Sequence, residues 1–185
     1  MNKIMSGTLL ASVMLGSLSA MAAADLAEDT YSRYVSAEGD ISLPDDARAD
    51  WSHLGSWIVA DDKAPGHGFH DVYTQPEAVQ GYREAGAFPD GTVLIKEIRS
   101  IESGSKTTGH AQWAGDKGVW FVMVKDDKGR FDGPHWGKGW GWALYEAKDP
   151  SKNVSKSFAE TCQTCHIPAE ATGWVFTEGY PTLRK

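Results

Sequence analysis

Two runs in the middle of the chain set the pattern of apolar and polar positions. TVLIKEI, residues 92–98, and VWFVMV, residues 119–124, are dense in β-branched, aliphatic and aromatic side chains and read as strands. In the first, Leu94, Lys96 and Ile98 share one face while Val93, Ile95 and Glu97 share the other. Both faces are largely apolar, so this strand is expected to be covered on both sides. Shorter apolar stretches add a strand starting at Trp57–Ala60, one at Asp71–Tyr73, and one at Trp140–Tyr145, the last entered from a loop rich in Gly and Trp. DDKAPGHGFHD, residues 61–71, reads as loop through its Pro and Gly residues. A helix is expected from Pro76, a favoured first position, to a stop at Gly86. DLAEDTYSRYVSAEGD at 25–40 reads as a short helix or disordered lead, and NVSKSFAETCQTCH at 153–166 as a short helix. With no internal repeat, these elements predict an α+β fold, a predominantly antiparallel β-sheet with flanking helices in a single domain.

The first residues change where the protein is expected to work. Lys3, an apolar run from Leu9 to Leu18, and small residues at Ala20, Ala22 and Ala24 read as a signal peptide over residues 1–22, cleaved after Ala22 or Ala24. The apolar run is too short to span a bilayer, so a soluble exported protein is expected, periplasmic in a bacterium. A lead segment, residues 23–38, then precedes a domain expected over residues 39–185. Cleavage removes Lys3 alone among charged residues and leaves a net charge of about −8, which argues against nucleic acid or an anionic membrane as partner.

The only two cysteines stand in CQTCH, residues 162–166, with nineteen residues after His166. Cys-x-x-Cys-His is the attachment pattern of c-type haem: two thiols become thioethers and the adjacent imidazole binds iron. A single covalent haem c on Cys162 and Cys165, with His166 as proximal iron ligand, is therefore the leading reading. A redox pair normally lies near the start of a βαβ unit, and a structural zinc site needs four ligands where no second Cys pair exists. A simple disulfide is the remaining alternative. Four of the five methionines, at positions 1, 5, 14 and 21, lie in the signal segment, leaving Met123 in a strand where it reads as a core residue. That disfavours a simple electron-transfer cytochrome c with His and Met ligands, and the strand-like runs disfavour a four-helix cytochrome c-prime.

Taken in order, GDISLPDDARADWSHLGSWIV, FHDVYTQPEAVQGYREAGAFPDGTVLIKEI, VKDDKGRF, GWGWALY and the late haem motif followed by WVFTEGYPTL resemble the cytochrome P-460 family, with the related cytochromes c-prime-beta. The resemblance runs from about Gly39 to Leu183. It implies a homodimer with five-coordinate haem, a small nitrogen ligand, hydroxylamine or NO, and a redox partner cytochrome. It also implies a lysine bonded to a porphyrin carbon in the hydroxylamine-oxidising members, matched here by Lys96. Without the resemblance, Lys96 reads as a snorkelling lysine; burial would instead lower its pKa and free a nucleophilic amine.

The same resemblance matches His70 to a basic distal residue, a candidate acid or base and even a sixth ligand; the competing reading is an exposed loop histidine. It matches Phe121 to a distal position that is a carboxylate in active members, and an apolar Phe there suits gas binding. A one-residue slip would point to Trp120 or Val122 instead. Trp136, Trp140 and Trp142 are expected in the haem-pocket wall or a dimer interface, the last two on one strand face. His110 and His135 are expected in exposed loops, and Arg83, Arg99 and Arg130 are candidates for the haem propionates.

Overall fold

The computed structural model describes residues 26–45 and 47–184. The expected signal peptide lies outside them, as does the start of the lead segment. Residues 26–34 form helix α1, and Ala47–Asp50 a single helical turn, α2. Strands β1 (Ser52–Val59) and β2 (Gly68–Thr74) follow, then helix α3 (Pro76–Ala85). Gly86 caps α3 in the left-handed region, at φ 75°, and its N–H reaches Tyr82 O. Next come β3 (Val93–Lys106), β4 (Gly109–Lys125), β5 (Trp136–Gly137) and β6 (Trp140–Glu146). They form one antiparallel sheet in the order β1-β2-β3-β4-β6-β5. The expected α+β class is the one observed. Among the described residues no helix is long and apolar enough to cross a membrane.

Four strands differ from expectation. β1 starts five residues before Trp57, and β2 starts at Gly68, so Phe69 and His70 are strand residues rather than loop. Pairing with β1 and β3 on either side outweighs the Gly-rich lead into β2. β3 and β4 also run on as a two-stranded ribbon from Ile101↔Ala114 to Lys106↔Gly109, beyond the reach of β2 and β6. His110, expected in a loop, is an exposed residue of this ribbon, and Trp113 stands 38% exposed under the Lys106 ammonium. Backbone pairing and the Lys106–Trp113 contact hold this ribbon together.

The sheet separates two cores. One face carries Leu54, Val72, Leu94, Met123, Trp140 and Trp142, covered by α3 and the C-terminal segment. The other carries Tyr73, Ile95, Val122 and Tyr145, covered by Tyr31 and Tyr34 of α1 and Trp51. Gly55 lets the C-terminal segment lie close on β1, since a Cβ there would sit 2.1 Å from Gly179 O.

A buried ion cluster pins the register of β2 against β3. Asp71 and Glu97 are Cα partners, both 4% exposed, and Arg48 of α2 bridges their carboxylates. Arg99 donates to the other Glu97 oxygen at 3.0 Å, and Ser56 Oγ donates to Asp71. Because strand side chains alternate, this cluster commits the neighbouring residues, His70 and Lys96, to the opposite face. Arg48→Ala leaves two buried carboxylates facing each other. The expected loss is about 2–4 kcal/mol, at or below the scale for breaking a fully buried pair because Arg48 is itself half exposed. Urea unfolding checks it, and an unchanged midpoint overturns it.

Candidate functional site

On the first core's face, β2, β3, β4 and β6 wall a cavity of about 620 Å³, within the usual ~300–1,000 Å³ of ligand pockets. The C-terminal segment closes its other side. There Ser157 caps a π-helical turn, Phe158–Cys162, by accepting from Glu160 N–H at 3.0 Å. It runs directly into α4 (Gln163–His166). Cys162, Cys165 and His166 thus reach the cavity from one short helical stretch. Cys162 is buried and Cys165 exposed, and both thiols are free. Burial raises the Cys162 thiol to about 11. Among the described residues no cluster of three or more His, Cys, Asp or Glu side chains forms a metal site.

His166 has its tautomer set by the backbone. Its Nδ1 lies 2.8 Å from Trp174 O, and a carbonyl only accepts, so Nδ1 carries the proton and Nε2 keeps its lone pair. Burial lowers the imidazole's pKa, opposed by the Trp174 bond, and the nearby Lys96 charge lowers it further. The ring meets Trp142 edge-on at 4.7 Å.

The carbonyl that receives this bond belongs to a strained residue. Trp174 has φ 70°, one of two non-glycine residues with positive φ among those described, the other being Lys138. A bulky residue there costs about 1–3 kcal/mol. Gly173, at φ 70° and ψ 33°, ends the preceding 3₁₀ turn, Ile167–Thr172.

Lys96 stands across the cavity wall, with Nζ 4.4 Å from the Phe121 ring centroid. Its surface is only partly covered because the amine faces the cavity, yet protein surrounds it otherwise. Burial therefore pulls its pKa below the ordinary value, against the opposite pull of Cys165 and Cys162. It makes no hydrogen bond or ion pair with any described residue. Its charge depresses both His70 and His166, so all three groups lie within electrostatic reach.

Phe121 is the Cα partner of Lys96 and shares its face, whereas Trp120 and Val122 belong to the second core. His70 lies in the cavity wall, 4% exposed, not in an exposed loop. Its Nε2 donates to Gly66 O at 2.6 Å, while Nδ1 is buried without a partner. Burial lowers its pKa, so the ring is neutral near pH 7. The lone pair of this ring is on Nδ1, so a proton-transfer role for His70 requires that buried atom to reach the cavity.

A family model for cytochrome P-460 matches residues 45–177. The chain belongs to the cytochrome P-460 family. It is thus a c-type haem protein, and the donor set fits that group: two thiols and a neutral imidazole with a free Nε2 converge on one largely apolar cavity. A comparison with curated proteins finds no match.

Other expectations resolve by place. Trp142 lines the cavity; Trp140 shares its face but spends Nε1 on Gly173 O at 3.0 Å. Trp136 packs in the second core, stacked on Phe131, and is not a pocket residue. His135 Nε2 bonds Ser155 O at 3.0 Å. Only Arg99 of the three arginines lines the cavity; Arg83 bonds Thr182 O and Arg130 bonds Asp90 and Asp126. Met123 is a core residue, as expected, and also lines the cavity. Sequence reasoning missed Trp57 and Tyr180, whose rings line the cavity 6.1 Å apart, and the Trp174 carbonyl.

Proposed function

We propose that this family member is an exported, periplasmic protein with one covalent haem c, which binds and oxidises a small nitrogen species, hydroxylamine or NO, and passes the electrons to a partner cytochrome. The observation that carries the reading is that one cavity gathers Cys162, Cys165, His166 and Lys96. When bound, the haem would supply redox-active iron for the oxidation of a small ligand. Cys162 and Cys165 hold it through thioethers. His166 offers Nε2 as proximal ligand. Lys96, its ammonium destabilised by burial, would offer the amine for a bond to a porphyrin meso carbon, a bond that replaces a C–H bond and needs a two-electron oxidant such as a peroxide. His70 takes up substrate protons at Nδ1, the ring nitrogen with no partner.

Phe121 favours a second reading, a non-catalytic NO carrier of the c-prime-beta kind, because an aromatic wall beside the amine offers no proton acceptor. Peptide mass analysis of the holoprotein with its reduced spectrum separates the two. The enzyme reading expects a Lys96 peptide joined to the haem peptide of Cys162 and Cys165, a red-shifted Soret band, and hydroxylamine turnover with a cytochrome acceptor. An unlinked Lys96 and an ordinary Soret band sink it and leave the carrier.

A further inference from the structure

The residue before the strained position is glycine, and a second glycine at 174 would hold the same backbone without strain. The chain has tryptophan there instead, and its surroundings show what holds it. The indole is 7% exposed, edge-on to Phe158 at 5.8 Å and beneath the Lys138 ammonium at 5.4 Å. Phe158 in turn packs on Trp142 at 5.0 Å, and Trp142 on His166 at 4.7 Å. The ring is keyed into the aromatic cluster that flanks the proximal imidazole.

The backbone of this turn is fastened on each side. Trp174 N–H donates to Ala169 O at 2.8 Å, Thr172 Oγ1 donates to Val175 O at 2.7 Å, and Trp140 Nε1 donates to Gly173 O at 3.0 Å. The remaining carbonyl, Trp174 O, points at His166 Nδ1. We infer that Trp174 is the positioning residue of the proximal imidazole: burial of its indole holds residue 174 in the left-handed region and keeps its carbonyl on the Nδ1 proton. This rests on His166 being the proximal ligand. An acceptor on Nδ1 makes the imidazole a stronger donor at Nε2, which stabilises ferric over ferrous iron. Trp140 assists by fixing the Gly173 carbonyl.

Alanine and glycine at 174 both remove the ring, but only glycine keeps φ near 70° freely. In Trp174→Ala the backbone leaves the left-handed region and the Nδ1 bond is lost. The iron–histidine stretching band of the ferrous holoprotein is then expected to fall in frequency and the reduction potential to rise. Trp174→Gly is expected to stay close to wild type in both, and Trp140→Phe to shift both in the alanine direction by less. Equal shifts in the alanine and glycine variants, or none in either, overturn the inference. Should Trp174→Ala fail to fold, Trp140→Phe decides: a raised potential supports it and an unchanged one overturns it. A band that survives His166→Ala overturns the ligand assignment and the inference with it. A band lost there but unmoved at 174 and 140 overturns the positioning alone.

Discussion

His166→Ala is expected to leave a haem still tethered through Cys162 and Cys165, without its protein nitrogen and at least ~100-fold less active, since partners one shell further out already account for about 10–100-fold. The reason lies in how little else can replace it. Two other histidines line the wall, His67 and His70, and His70 has Nε2 engaged by Gly66 O and Nδ1 buried. Lys96 and His67 also line the cavity, Lys96 from β3 and His67 from the loop before β2, neither on the attachment helix. The measurement is the reduced spectrum together with turnover, and the iron–histidine band should vanish. Full turnover in the variant would remove His166 from the proximal role. His166→Gly with added imidazole separates ligation from packing: free imidazole restores activity where the side chain acts as a ligand, and does not where it only fills space between Trp142 and Phe176.

The parts of the site legible in the sequence are those that depend on local order. Cys-x-x-Cys-His is read from five consecutive residues because attachment needs both thiols and the imidazole on one short helix. Strand alternation likewise put Lys96 opposite Glu97, and the ion cluster on Glu97 shows why the alternation holds. Pairing between strands is a different matter. Lys96↔Phe121 depends on where the β3–β4 hairpin turns, and that turn lies at Thr107–Thr108 within a polar stretch, GSKTTGHAQ, which carries no apolar period. The same absence hid the ribbon. β2 was legible only from Asp71 because its first three residues include Gly68, whose φ of 147° and contact with Arg99 O suit glycine alone. His70 was therefore assigned to a loop while three strands bury it.

What no sequence pattern reveals is a backbone atom in a functional place. The Trp174 carbonyl has no signature beyond Gly173 ahead of it, and the Gly66 carbonyl that occupies His70 has none beyond Pro65. Trp57 and Tyr180 join the cavity through Gly55, a bulge position where β1 admits the C-terminal segment. Each missed feature is a consequence of close backbone approach.

Lys96→Met is expected to have opposite effects on chemistry and on stability. Without the amine, the cross-linked peptide and the red-shifted Soret band disappear, and hydroxylamine turnover falls to the level of an unlinked haem. Met has a similar length and no charge, so it fills the wall beside Phe121 without a desolvated ammonium. Stability near neutral pH should therefore rise by about 1–2 kcal/mol, the ordinary scale of a single favourable core replacement. The pH dependence fixes the cause. Burial holds the folded-state pKa of Lys96 below its ordinary 10.5, so between the two values the unfolded chain binds a proton that the folded chain does not. Wild-type stability accordingly climbs through that window as pH rises towards 10.5, while the Met variant lacks this contribution, and the gap between them closes at the alkaline end. Thermal unfolding of both proteins, made without haem attachment so that the amine is free, checks this. A gap that stays constant with pH assigns the stabilisation to packing. Turnover and a red-shifted band retained in the Met variant would show that Lys96 is no part of the catalytic haem site.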